Sequence, residues 1–250
     1  MIHYHGGPIT PAEAATLIYS GRHAMVSFAE PRDLPLVAEV CQSFALDNGA
    51  FSFWKAGKVT DWPGYYECIE KWHRHPGFDW ALIPDVIDGT EEDNDKMLNQ
   101  WPEAWYGFGV PVWHLHESLE RLEMLCDEFQ RVAIGSSGQW AMIGTASWWQ
   151  RISQAMGVAC DDNGRPKAKL HGLRMLNYRV FTQLPFSSAD STNIARNVGM
   201  DVAWKGTYQP ASKAMRGLVL AERIEQWQSS PVWHGAENME LDFMEASNVH

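Results

Sequence analysis

The stretch Phe44-Ala45-Leu46-Asp47-Asn48-Gly49-Ala50-Phe51 opens as a strand and ends as a candidate site. Three consecutive apolar residues without polar alternation fit a parallel strand buried on both faces. Aspartate follows at once. A carboxylate behind a buried run is costly unless it is hydrogen-bonded, paired or solvated in a pocket. Outward from this segment the same kind of run recurs at 2–5, 24–28, 80–84, 110–114, 132–135, 172–176 and 185–189, which makes eight candidate strands with 44–47. Amphipathic stretches separate them at 11–19, 33–41, 65–73, 91–100, 117–129 and 139–156. Thr10-Pro11-Ala12-Glu13, Asp61-Trp62-Pro63 and Gly89-Thr90-Glu91-Glu92 read as helix starts. The link 177–184 is short for a full helix.

Strands alternating with helices predict a closed barrel or a doubly wound sheet. No GxGxxG or GxxxxGK[ST] follows any strand, which removes the usual support for a nucleotide-binding open sheet. The expected fold is an α/β (β/α)8 TIM-type barrel over 1–235 with a short C-terminal helical extension and no zinc subdomain. A turn near Trp204-Lys205-Gly206 and a helix over 211–227 form the extension, and 236–250 is an acidic tail expected to be disordered.

Composition bounds the rest. The chain has 250 residues, 45% of them apolar, enough for one large barrel. No apolar run is long enough for a membrane span, and Met1-Ile2-His3-Tyr4-His5-Gly6 lacks the pattern of a signal peptide. Cys41, Cys68, Cys126 and Cys160 are scattered without a CxxC, as reduced thiols in a cytoplasm would be. The net charge is −11, yet residues 151–223 carry eleven Lys/Arg against five acids. That local excess predicts a polyanion-binding face, with an unevenly charged solvated surface as the alternative.

In a parallel barrel the reacting groups sit where strands end and βα-loops begin. Those positions hold His3 and His5, Glu30, Asp47-Asn48, Asp85 and Asp88, His114 and His116, Ser136-Ser137, Asn177, and Asp190. Any one acid could be an N-cap. Asp47, Asp85 and Asp190 converging on one mouth predict a site. Glycine at 49 lets backbone amides approach a flat ligand with Phe51 beneath it. A carboxylate at Asp85 can accept two N–H donors of a guanine-like base. A carboxylate at Asp190 can attack a sugar carbon and form a glycosyl ester.

The order of these pieces resembles the tRNA-guanine transglycosylase superfamily over roughly residues 24–200. Leu46-Asp47-Asn48-Gly49-Ala50-Phe51 is similar to that family's Asp-Ser-Gly-Gly-Phe segment, whose aspartate is the general acid/base. Ala81-Leu82-Ile83-Pro84-Asp85 resembles the strand ending in the base-recognising aspartate. His114, in Val112-Trp113-His114-Leu115-His116, stands in for a base-binding glutamine. Ala133-Ile134-Gly135-Ser136 resembles the glycine segment at the base, and Leu173-Arg174-Met175 the strand with a methionine beneath it. Asp190, followed by Asn193-Ile194-Ala195-Arg196-Asn197, resembles the nucleophile and the stretch after it.

No cysteine follows Cys160, so the family's zinc-binding motif is missing, and the chain is shorter than the tRNA enzymes. This reduced form is more similar to the phage deazapurine DNA transglycosylases. The resemblance implies exchange of guanine in DNA for a preQ0-like 7-deazaguanine, with no cofactor and no metal, in a host cytoplasm; RNA stays open as substrate. It implies Asp190 and Asp47 as catalytic residues and Asp85, Asn48, His114, Gly135, Ser136, Met175 and Phe51 at the base. Arg196, Lys205, Asn193, Lys167 and Lys169 are the expected nucleic-acid contacts. Two other classes remain as alternatives. One is a metal-dependent amidohydrolase-type barrel using His3, His5 and Asp190, with His114 and His116 as further candidate ligands. The other is a non-catalytic DNA- or base-binding barrel.

Overall fold

The computed structural model describes residues 1–199, 204, 206 and 208–235. Parallel strands alternate with helices around one barrel. In chain order the elements are β1 (Ile2–Gly6), α1 (Ala12–Tyr19), β2 (His23–Ser27), α2 (Leu34–Val40), β3 (Ser43–Asp47), α3 (Ala50–Lys55), α4 (Trp62–Trp72) and β4 (Phe78–Leu82). There follow α5 (Glu91–Asn99), β5 (Gly109–Val110), β6 (Val112–His114), α6 (Leu119–Glu128), β7 (Arg131–Gly135), α7 (Ala146–Ala159), β8 (Lys169–Gly172), α8 (Tyr178–Phe181), β9 (Ser188–Ser191), α9 (Asn193–Asn197) and α10 (Lys213–Glu225).

The strand order is β5-β4-β3-β2-β1-β9-β8-β7-β6, with every pairing parallel. The two sheet ends, β5 and β6, are halves of one strand. Proline has no N–H to give to a ladder, and Pro111 falls between them. Upstream of it β5 pairs with β4; downstream β6 pairs with β7, and Ala133 N–H donates to the Pro111 carbonyl at 2.9 Å. Counting the interrupted strand once yields the eight strands of a (β/α)8 TIM-type barrel. The eighth helical position belongs to α10, which packs against α1 and β1 and buries Gly217, Ala221 and Ile224. The expected extension is therefore part of the barrel wall. The link between β8 and β9 holds only the four-residue α8.

Side chains alternate across each strand. Tyr4, Met25, Ala45, Trp80, Leu82, Val110, Val112 and Ala133 form one cluster inside the barrel. The opposite faces, including Ala24, Val26, Phe44, Leu46, Trp113 and Ile134, join the larger core between strands and helices. Each fully buried Leu or Ile there contributes roughly 1.5–3 kcal/mol through lost contact with water, which explains why the runs are apolar on both faces. Trp148 and Trp149 belong to this packing, with ring centroids 4.8 Å apart.

Local signals place most helix starts. Asp61 accepts from Gly64 N–H at 3.0 Å, and Thr90 with Asp93 closes a capping box. The first helix departs from expectation: it begins at Ala12, and Pro11 occupies the cap position without a side-chain bond. Two strands are displaced from the apolar runs that announced them. β8 ends at Gly172 rather than at 176, and β9 runs Ser188–Ser191 rather than 185–189. Apolar residues continue past the pairing there because the loops themselves are buried. No helix among the described residues is long and apolar enough to cross a membrane. Lys205 and the tail 236–250 lie outside the described residues.

Candidate active site

At the C-terminal ends of the strands opens a cavity of about 520 Å³. Asp47, Phe51, Asp85, His114, Gly135, Ser136, Asp190 and Arg196 line it, so the structure brings together most of the residues read from strand ends. In a right-handed β/α repeat the C-terminal mouth is where loops are free to diverge.

Asp47 closes β3. Its Oδ1 accepts from Gly49 N–H at 3.1 Å, and Gly49 adopts φ 79°, a left-handed turn into α3 that suits glycine. A Cβ at this position would meet the Ala29 nitrogen at 2.8 Å, so the two mouth loops touch backbone to backbone. Burial pushes the Asp47 carboxyl up to about 6; Asp190 and Asp85 add to the rise, while the Gly49 N–H and the Ser27 hydroxyl oppose it. Asp47 is thus poised to exchange a proton near neutrality.

Asp190 sits in β9 facing the same cavity. Its Oδ1 accepts from Arg174 N–H at 2.7 Å and lies 3.4 Å from His171 Nε2. Burial holds the fully enclosed His171 below its ordinary value in spite of Asp190. Its Nδ1 bonds Ser188 Oγ at 2.9 Å, leaving Nε2 directed at the carboxylate. No described residue makes a hydrogen bond to Asp190 Oδ2. One oxygen is anchored and the other is available, as an attacking carboxylate requires.

Asp85 lies on a third wall, clamped from two sides. Asn48 Nδ2 donates to its Oδ1 at 2.6 Å and His114 Nε2 bonds its Oδ2 at 2.8 Å. Burial works against charge on His114, but the hydrogen bond and charge of Asp85, with Glu117 behind, outweigh it and hold the imidazole above its ordinary value. The pair is framed by a buried network. Glu117 accepts from His114 N–H at 2.8 Å, from Arg121 at 3.1 Å and from Asn94 at 2.8 Å, and Asn94 accepts from Val86 N–H at 2.7 Å. At Gly135 an added Cβ would come within 3.1 Å of His114 Nδ1, so glycine keeps this edge of the ring clear.

Other expected residues fall elsewhere. Asn48 is buried but not on the cavity wall; its amide is consumed by Asp85, by the Ile83 carbonyl at 2.9 Å and by Ala50 N–H at 2.9 Å. It is turned to Asp85 and the backbone and not to the cavity. Met175 is fully buried in the core because β8 stops at Gly172, and Leu173 and Arg174 line the cavity in its place. Asn193 pairs with Asn197 and is not on the wall, whereas Thr192 is. Lys167 and Lys169 are at the start of β8, the opposite end of the barrel, with Lys167 bonded to Glu123 at 2.8 Å. The basic stretch is not one face: Arg151 binds the Leu115 and Glu117 carbonyls, and Arg216 binds those of Pro210 and Ala211.

His3 and His5 point out of the barrel toward α10, since Tyr4 between them points in. His3 bonds the Trp227 carbonyl at 2.9 Å, and His5 bonds Glu225 at 2.7 Å, which also takes Arg22. The layout of an amidohydrolase-type centre needs these two at the mouth.

Arg174 was absent from the expected site. It has φ 60°, unusual for a residue with a side chain. That turn aims its N–H at Asp190, while its guanidinium lies 4.0 Å from the Phe51 ring centre and donates to the Ser136 carbonyl at 2.7 Å. Placing the strand end at Gly172 would have exposed it by the rule that found Asp85. Lys55, Glu30 and Ser27 also line the cavity.

No protein-family model and no curated protein matches the chain. Among solved structures it is similar to a mutant tryptophan synthase α-subunit from the hyperthermophile Pyrococcus furiosus, with 10% identity, 90% of this chain and 95% of that chain covered, and a TM-score of 0.51. At that identity the likeness concerns the fold alone, and the fold is the TIM-type barrel.

Proposed function

We propose that the chain is a base-exchange transglycosylase acting on a guanine nucleotide of DNA and inserting a 7-deazaguanine. The observation that carries this reading is one cavity holding two unlike carboxylates. Asp190 has one oxygen anchored and one unengaged, and Asp47 is raised to about 6.

In the first half-reaction Asp190 Oδ2 attacks C1′ as the C1′–N9 bond breaks. The bonding pair leaves with the base, and Asp47 supplies its proton. In the second, the Asp47 carboxylate takes the N9 proton of the incoming base, which attacks C1′ and expels Asp190. Two inversions preserve the sugar configuration. Phe51 and the guanidinium of Arg174 offer flat surfaces for the base. Asp85 can accept base N–H groups through its remaining lone pairs, and a protonated His114 has Nδ1–H left to donate to a carbonyl oxygen.

The test is mass spectrometry of protein quenched with guanine-containing DNA. A covalent protein–DNA species is expected, absent in Asp190→Asn and reversed by added 7-deazaguanine. An adduct mapping to Asp47, or persisting in Asp190→Asn, overturns the assignment; a barrel that only binds DNA forms none.

A further inference from the structure

The helix at the cavity mouth, α3, also projects a side chain that the base-exchange chemistry does not use. Within α3 and the residue after it, Phe51, Ser52, Lys55 and Ala56 line the mouth. Trp54 is on the outer side of the same turn, 48% exposed, with its ring centre 5.8 Å from that of Phe51. Val59, just beyond, is 95% exposed. Trp54 and Trp227 are the exposed tryptophans, whereas Trp80, Trp101, Trp113, Trp148, Trp149 and Trp204 are almost completely buried; of the two, Trp54 is the one on the helix that lines the mouth. Met142, in the loop between β7 and α7, is 72% exposed. Cations accompany these apolar tips. Lys55 and Arg196 line the cavity and make no ion pair among the described residues, and Lys58 is exposed beside Val59. The acids Asp85 and Asp190 lie below, more than nine-tenths buried.

A rim of apolar tips and free cations over a deep acidic pocket fits a nucleic-acid backbone at the rim and one nucleotide below it. A base cannot reach buried carboxylates while stacked in a duplex; it has to leave the helix. Proteins that open a base step insert an apolar wedge into the gap, and lysine or arginine alongside holds the phosphates.

We infer that Trp54 is the wedge that fills the stack of double-stranded DNA when the target nucleotide swings into the cavity, with Lys55 and Arg196 holding the flanking phosphates. This rests on the DNA reading above and adds that the substrate is duplex, opened by the protein itself.

The experiment compares base exchange on a duplex and on the single strand of the same sequence, for the parent protein, Trp54→Ala and Trp54→Phe. The ratio of duplex to single-strand exchange should fall about tenfold in Trp54→Ala, in line with loss of one aromatic–base stack, and recover largely in Trp54→Phe. An unchanged ratio overturns the inference, as does an equal loss on both substrates, which would make Trp54 a support of the pocket. In parallel, 2-aminopurine is placed beside the target guanine in the duplex. Its fluorescence should rise with the parent protein and not with Trp54→Ala; a rise with both, or with neither, overturns the wedge. If no protein exchanges base on either substrate, the transglycosylase reading fails, and the fluorescence arm still decides the wedge.

Discussion

At the strand N-termini Asp79 accepts the Tyr4 hydroxyl, has Arg131 at 3.9 Å, and is linked through Tyr4 to Trp80 Nε1 at 3.0 Å, with Arg131 5.1 Å above the Trp80 ring centre. At the C-termini Asp47 accepts one backbone N–H, from Gly49, and burial has raised its carboxyl to about 6. The lower carboxylate is matched by a phenol and a guanidinium. The upper one has the carboxylates of Asp190 and Asp85 for neighbours, with the Arg174 guanidinium in the same cavity but not hydrogen-bonded to it. A buried polar network that is satisfied stiffens a fold, whereas one left wanting stores reactivity. On the proposed reading the bottom serves stability and the mouth serves chemistry, so substitutions at the two ends should differ in sign.

The largest contrast is in activity. Asp190→Asn should lower exchange by more than about a thousandfold, as loss of a nucleophile does, while Tyr4→Phe should leave the rate within a few-fold. Single-turnover kinetics check both.

Stability should run the other way. Tyr4→Phe leaves Asp79 and Trp80 Nε1 without their shared partner and should destabilise by about 1–3 kcal/mol. Asp47→Asn should stabilise by about 1–3 kcal/mol at pH 8. The folded Asp47 keeps its proton up to about 6, whereas the unfolded group releases it near 3.8. Its contribution is therefore favourable below that lower value and is lost as pH rises through 6. Denaturant titrations at pH 5 and pH 8 measure this; a gain that is equal at both would detach it from Asp47 titration. The same group makes adduct formation fall as pH rises above about 6, and Asp47→Asn should flatten that limb.

Base reading should respond less. Asp85→Asn puts an amide donor where an acceptor stood. It should weaken guanine-like bases by about 1–3 kcal/mol, measured as the KM for the incoming base, with DNA affinity held. Smallest is the salt response. Arg196→Gln at the mouth should reduce the slope of log affinity against log salt by about one. Lys169→Gln, at the bottom, should not change it. A loss at Lys169 equal to that at Arg196 would return the phosphate path to the basic stretch.

The two His-x-His segments measure how much was legible along the chain. His3-Tyr4-His5 and His114-Leu115-His116 both end apolar runs. Only the second turns a ring to the cavity, where His114 meets Asp85. A register of one residue decides which face a side chain takes, and sequence spacing does not reveal that register. Met175, expected at the base, is in the core and Arg174 lines the cavity for a related reason. The apolar run continues past the last strand pair, so the sequence puts the strand end beyond Gly172 and makes a core methionine look like a site residue.

The sequence by itself determined the barrel and its three mouth carboxylates. Parallel strands covered on both faces need continuous apolar runs, and an aspartate ending such a run needs a pocket. Only the tertiary structure decided which groups surround those carboxylates. The clamp of Asn48 and His114 on Asp85, the aim of Arg174 N–H at Asp190 and the remoteness of Lys167 and Lys169 all join or separate residues far apart in the chain. Hydrogen bonds and burial act over a few ångströms in space, and barrel closure sets those distances.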